Sequence, residues 1–205
     1  MKRDLARRLE SVSPFDDPAP ALEQYRTPAD IAAHVVHVAA MQSDLDGRTV
    51  VDLGSGTGML ALAAAFGGPR AVVGVELDGE ALERARENER QVDPPISIDW
   101  IEGDATTLPV CLDDATVVMN PPFGAQYGNR HADRAFLETA ATIGAVSYSI
   151  HNEGSRSFVD RFVADHDGTV THAYQAELEI PHQFEFHREE RRTVDAEVFR
   201  VTWSG

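Results

Sequence analysis

The run Thr49-Val50-Val51-Asp52-Leu53 is β-branched and apolar, and it ends directly in Gly54-Ser55-Gly56-Thr57-Gly58. A buried strand that stops at a glycine-rich turn and then becomes helical is the opening unit of a parallel sheet. The chain keeps that rhythm. Met59 to Phe66 predicts a helix, closed by Gly67 to Pro69, and Ala71 to Leu77 a second buried strand. A helix follows over Gly79 to Val92, a third strand over Ile96 to Ile101 and a fourth over Ala115 to Met119. Arg130 to Ile143 reads as a helix, Ala145 to Ile150 as a fifth strand and Ser155 to Asp165 as a helix. Val170 to Ile180 and Val194 to Trp203 alternate in character and read as two final strands. The expected fold is α/β: a Rossmann-like, seven-stranded, mostly parallel sheet with helices on both faces and an antiparallel hairpin at one edge.

Ahead of this unit, Leu5, Leu9 and Val12 fall on one helical face. Ser13 to Pro20 holds three prolines and two aspartates and reads as a turn or linker. Thr27 is expected to cap a second helix, with Pro28 at its first position, running to about Met41. Asp44 to Gly47 is a turn. The chain of 205 residues is thus expected as one structural unit, an N-terminal helical segment over 1–44 joined to a main domain over 45–205.

The first glycine turn is a candidate ligand site, because glycines let a ligand approach the backbone, although such a turn alone is weak evidence. A dinucleotide cradle would need glycine at 59, where the chain has Met59. Asp52 would repel a pyrophosphate, yet it could orient a zwitterionic amino-acid ligand. Glu76 ends the second strand about 20 residues on, where an acid binds ribose hydroxyls. Asp104 follows the third strand and could accept from an adenine amine. An acid near an amino-acid tail, one at a ribose and one at an adenine fit S-adenosylmethionine. Each also has a plainer reading: Asp52 could cap a helix, and Glu76 and Asp104 could be turn residues.

Asn120-Pro121-Pro122-Phe123 follows the fourth strand. Two prolines fix the backbone and remove two N–H donors. The Asn120 side-chain oxygen and the Pro121 carbonyl remain as acceptors for a planar exocyclic amine, with Phe123 stacking on its ring. Methyl transfer from a sulfonium needs alignment more than a metal, a covalent nucleophile or a strong base. The plainer reading is a rigid turn without chemistry.

Composition bears on the partner. There are 34 acids against 18 bases, a net charge of −16, and Lys2 is the single lysine. A basic nucleic-acid-binding patch is excluded at face value. The same excess fits a halophilic protein, since at molar salt the Debye length falls to about 3 Å and self-repulsion weakens. On that reading net charge is silent about partners. Cys111 is the single cysteine, so an internal disulfide and a cysteine zinc site are excluded, and it is expected to pack as a small hydrophobe. The charged start and the lack of a long apolar run predict a cytoplasmic protein.

With Asp52-x-Gly54-x-Gly56, Glu76, Asp104 and Asn120-Pro121-Pro122-Phe123, the chain resembles the amino-methylating class I S-adenosylmethionine-dependent methyltransferases. A narrower set is similar to the methyltransferase-like protein 5 family, adenosine-N6 methyltransferases of small-subunit ribosomal RNA. It comprises Leu22-Glu23-Gln24-Tyr25-Arg26-Thr27-Pro28, Phe123-Gly124, Ala135-Phe136-Leu137, Tyr148-Ser149-Ile150-His151 and Phe184-Glu185-Phe186-His187. The resemblance points to an archaeal member. It implies that Gln24, Tyr25 and Thr27 close over the cofactor's methionine end, and that Leu77 and Ala105 help bind it. It implies RNA contacts at His151, His187 and Arg188, although Glu189 and Glu190 interrupt a run that is lysine-rich in the family. It also implies a small zinc-binding activator at the third-strand edge, with Ile96, Ile98 and Trp100 as contacts, against the plainer reading that Trp100 packs in its own domain.

Guanine-N2 methylation uses the same turn, as does N5-glutamine methylation of a protein, where tyrosine is usual in place of Phe123. A non-catalytic scaffold is disfavoured by the intact pocket and turn. A nicotinamide oxidoreductase is disfavoured by Met59 and by the lack of a proton relay at the fourth strand.

Overall fold

The structure, a computed structural model, describes residues 2–19, 22–108, 112, 114–122, 132–181 and 191–204. Its elements are α1 (Lys2–Leu9), α2 (Ala29–Met41), β1 (Thr49–Leu53), α3 (Met59–Ala65), β2 (Ala71–Glu76), α4 (Gly79–Val92) and β3 (Ile98–Glu102). There follow β4 (Ala115–Met119), α5 (Ala132–Ile143), β5 (Gly144–Asn152), α6 (Arg156–Asp165), β6 (Gly168–Pro181) and β7 (Arg191–Trp203). The strands form one seven-stranded sheet in the order β3-β2-β1-β4-β5-β7-β6. β1 to β5 pair in parallel, while β7 runs antiparallel to both β5 and β6. The expected fold class is thus the observed one.

β1 and β4 are buried at every position, as central parallel strands covered on both faces must be. α1, α2 and α3 bury Leu5, Leu9, Ile31, Val35 and Leu62 on one face, together with Tyr148 and Val198 of the sheet. α5 and α6 bury Leu137, Ile143, Val159 and Phe162 on the other, against Val117, Met119 and Phe199. The N-terminal helices therefore share the domain's own core.

β1 lies between β2 and β4, so crossovers leave it in opposite directions. That switch point opens a crevice at the carboxyl ends of the strands. Far from it, Asp44 receives Arg200 Nε and Nη2 at 2.8 and 2.9 Å and the Tyr148 hydroxyl at 2.6 Å. Its carbonyl accepts the Thr116 hydroxyl. The Asp44–Gly47 turn is thereby tied to β4, β5 and β7.

Two expectations need correction. Thr27 does not cap α2: Pro28 occupies the cap position without a side-chain bond, and the Thr27 hydroxyl is engaged elsewhere. Of the candidate partner contacts, Ile98 is buried and offers no surface, while Ile96 and Trp100 are half-buried. Ile98 is in the core, Ile96 packs on it, and Trp100 turns inward to donate from Nε1 to Glu89 Oε2 at 2.7 Å. The indole lies against Gly58, 2.7 Å from where a Cβ would stand, so these two positions are matched in size. Cys111, and Arg130 at the expected start of α5, lie outside the described residues. Among the described residues, no helix is long and apolar enough to cross a membrane.

Candidate active site

A cavity of about 210 Å³ occupies the switch-point crevice. Its wall includes Gln24, Tyr25, Thr27, Asp52, Gly54, Gly56, Glu76, Leu77, Asp104, Ala105 and Asn120, which brings the expected cofactor residues to one site.

Asp52 is 1% exposed. Its Oδ2 accepts the Ala61 N–H at 2.8 Å and so satisfies the first turn of α3. Oδ1 is buried without a partner. Helix capping and a ligand site are thus not rivals, since one oxygen serves each. Burial pushes the Asp52 carboxyl up to about 8, against the Ala61 bond and with the Glu76 charge adding to the rise.

Glu76 joins two turns. Oε2 accepts the Gly56 N–H at 2.7 Å, and Oε1 accepts those of Leu77 and Asp78 at 2.9 and 3.0 Å. A carboxylate has about four acceptor sites, so three bonds leave one for a ribose hydroxyl. Burial raises its pKa, and the three backbone bonds pull the other way. Asp104 folds its Oδ1 onto the backbone N–H and hydroxyl of Thr106, at 2.8 and 2.7 Å. Leu77 is 57% exposed at the rim, and Ala105 is buried.

The segment at 22–27 crosses the mouth. Gln24 Nε2 donates to Asp78 Oδ2 at 2.6 Å, beside the β2 end, and Gln24 Oε1 accepts the Ala19 N–H at 2.7 Å. At the β4 end, Asn120 Nδ2 donates to Thr27 Oγ1 at 3.0 Å. The bond orients the amide, so Asn120 Oδ1 is the free acceptor, buried and unpartnered in the pocket wall. Pro121 is buried, Pro122 lines the cavity, and Phe123 lies outside the described residues.

Sequence reasoning missed two aromatic walls. Phe136 of α5 approaches Gly54, and Phe15 approaches Gly56, where a Cβ would stand 2.8 Å from its ring. Gly56 has φ +54°, a second reason for glycine there. Two residues before Phe15 the segment is tied to Asn88, which accepts the Ser13 N–H at 2.8 Å and donates to the Ser13 and Thr57 carbonyls. The signal lay in the proline-bounded segment around Phe15, which reads as a linker when taken alone.

His151 is not an outward-facing RNA contact. It is 2% exposed, its ring packs edge-on to Phe199, and Nε2 has no partner. Burial lowers its pKa to about 4, so the imidazole is neutral. His187 and Arg188 lie outside the described residues. Among the described residues, no cluster of potential metal ligands occurs.

The methyltransferase small domain model matches residues 26–149. The rRNA N6-adenosine methyltransferase Mettl5 of Drosophila melanogaster is 32% identical over 97% of this chain and 94% of its own. The chain belongs to the methyltransferase small domain family, alongside the METTL5 proteins. An uncharacterised protein of Methanocaldococcus jannaschii is 34% identical over 98% of this chain and 93% of its own. A candidate RNA methyltransferase from Pyrococcus horikoshii superposes with TM-score 0.90 at 36% identity, covering 100% of this chain and 98% of its own. As a methyltransferase of this family, the chain uses S-adenosylmethionine, and the site fits that cofactor: buried Asp52 Oδ1 awaits a cation and Glu76 keeps one acceptor site.

Proposed function

We propose that this chain methylates the exocyclic N6 amine of an adenosine in small-subunit ribosomal RNA. The Asn120 amide carries the reading, with Oδ1 buried and unpartnered at the pocket while Nδ2 is held by Thr27. An aromatic amine presents two N–H groups and a lone pair delocalised into its ring. Asn120 Oδ1 accepts one N–H and the Pro121 carbonyl the other. Two acceptors on one side favour a pyramidal nitrogen with its lone pair turned toward the methyl group. S-adenosylmethionine supplies that methyl on a positively charged sulfur, so the C–N bond forms as the C–S bond breaks and a thioether leaves. The amine proton then passes to water. The protein contributes alignment, and two consecutive prolines keep the turn from moving. Phe123 stacks on the base in this reading.

The relatives named as rRNA N6-adenosine methyltransferases span nearly the whole chain, which supports the adenine choice. The 1–44 segment closes over the methionine end, and Phe15 and Thr27 at the cavity support this. RNA contacts at His187 and Arg188 gain support from the hairpin. β5 pairs with β7 only as far as Asn152 and Ala196, while β6 and β7 pair on to Pro181 and Arg191, past the carboxyl end of β5. A zinc-binding partner fits the unpaired edge of β3, where Asp99, Ile101 and Glu102 are exposed. A halophilic archaeal source and cytoplasmic action complete the reading.

The test is transfer of labelled methyl to small-subunit RNA at high salt with the partner present. Label is expected in N6-methyladenosine, and label confined to methylguanosine would overturn the adenine assignment. Asn120→Ala is expected to abolish transfer and leave cofactor affinity nearly intact.

A further inference from the structure

The cavity wall is acidic. Glu23, Asp52, Glu76 and Asp104 line it, and Arg26 is its one basic side chain among the described residues. Arg26 is half-buried, and its Nε is fully enclosed without a hydrogen-bond partner. In a chain with 34 acids, no carboxylate among the described residues pairs with it. Burial lowers its pKa, the mark of a charge taken from water without compensation. A half-buried guanidinium with an enclosed, unpartnered Nε and no carboxylate partner among the described residues suits an anionic ligand in this wall.

The neighbouring residues say which anion. Arg26 stands between Tyr25 and Thr27, and Thr27 holds the Asn120 amide. Asn120 follows β4, which β1 separates in the sheet from β2 and β3, the strands that Leu77, Asp104 and Ala105 follow. The cofactor carries two positive groups, its sulfonium and its ammonium, and one negative group, the carboxylate of its methionine tail. The free oxygen of Asp52 suits the ammonium. Among the described residues of the wall, Arg26 is the one basic side chain that can attract the carboxylate. We infer that Arg26 binds the carboxylate of the methionine tail of S-adenosylmethionine through its guanidinium fork. The inference rests on the cofactor reading above and adds a residue to it. Arg26 thereby fixes the tail and sets the direction of the methyl group.

The test compares two ligands that share an adenosine. S-adenosylhomocysteine has the amino-acid tail, and 5′-methylthioadenosine lacks it. Calorimetry on Arg26→Gln should show at least a tenfold loss for S-adenosylhomocysteine and less than a twofold change for 5′-methylthioadenosine. Arg26→Lys should recover part of the loss, since charge returns without the fork. Equal loss of both ligands would overturn the inference and make Arg26 a structural residue. Unchanged cofactor affinity with a raised KM for RNA would overturn it in favour of a phosphate contact. Failure of the unaltered protein to bind either ligand would instead overturn the cofactor reading beneath it.

Discussion

Asn120 donates from Nδ2 to the hydroxyl of Thr27, 93 residues earlier in the chain, at 3.0 Å. The bond ties the turn after β4 to the segment that crosses the pocket mouth. It also decides which end of the amide faces the substrate.

Thr27→Val should therefore impair turnover more than cofactor binding. Losing one hydrogen bond of about 1 kcal/mol predicts a fall in kcat of roughly 5-fold, or more if the amide rotates. Thr27→Ser keeps the hydroxyl and should restore the rate. Steady-state kinetics alongside cofactor calorimetry separates the two effects, and equal losses in both would contradict the orienting role.

Cofactor affinity should depend on pH through Asp52, whose carboxyl is pushed up to about 8 in the unliganded pocket. A cationic ligand favours the carboxylate, so binding expels a proton below that pH. Affinity should rise between pH 6 and 8 and level off above. Calorimetry at pH 7 in buffers of different ionisation enthalpy should report proton release, and Asp52→Asn should abolish it. Stability of the free protein should run the other way. The folded state holds this proton more tightly than the unfolded chain, whose aspartate titrates near 4, so the Asp52 contribution falls as pH rises from about 4 to 8.

His151 has the opposite sign. Its folded pKa is about 4, below the unfolded value of about 6.5. Its stability contribution is present above pH 6.5 and is lost as pH falls toward 4. Thermal melts across that window should show a shallower acid decline for His151→Phe than for the parent.

Asp44 and Arg200 form a buried ion pair with side-chain exposures of 5% and 10%. Asp44→Ala strands the guanidinium beside Tyr148 and should cost about 3–5 kcal/mol, as removing one partner of a buried pair does. Denaturant unfolding would register it, and a loss below about 1 kcal/mol would mean that water reaches the site.

The strands were legible because burial on both faces leaves a β-branched run with turn residues at its ends. β1, α4 and β4 have the predicted bounds for that reason. The acids at the strand ends were legible because the parallel topology fixes where such ends meet. What the sequence hides is the second use of each group. Nothing local distinguishes an N-cap at Thr27 from a hydroxyl reserved for Asn120, and the pairing of Asp44 with Arg200 spans 156 residues. The inward turn of Trp100 depends on Gly58 and Gly74 lying beneath it. Arg26 is hidden in the sequence because its neighbours Tyr25 and Thr27 already account for the segment, and its place as the one basic side chain of the pocket wall among the described residues appears only in the fold.

β7 lies between β5 and β6 in the sheet but follows both in the chain. During synthesis β6 leaves the ribosome with no strand to join, and β5 waits with one edge bare. Arg200, which neutralises buried Asp44, arrives on that same strand. The nascent chain therefore carries an exposed edge and an unmatched internal charge until β7 inserts. Closure of this half of the sheet waits on β7, and a chaperone that shields β5 and β6 in the interval would raise the yield of folded enzyme.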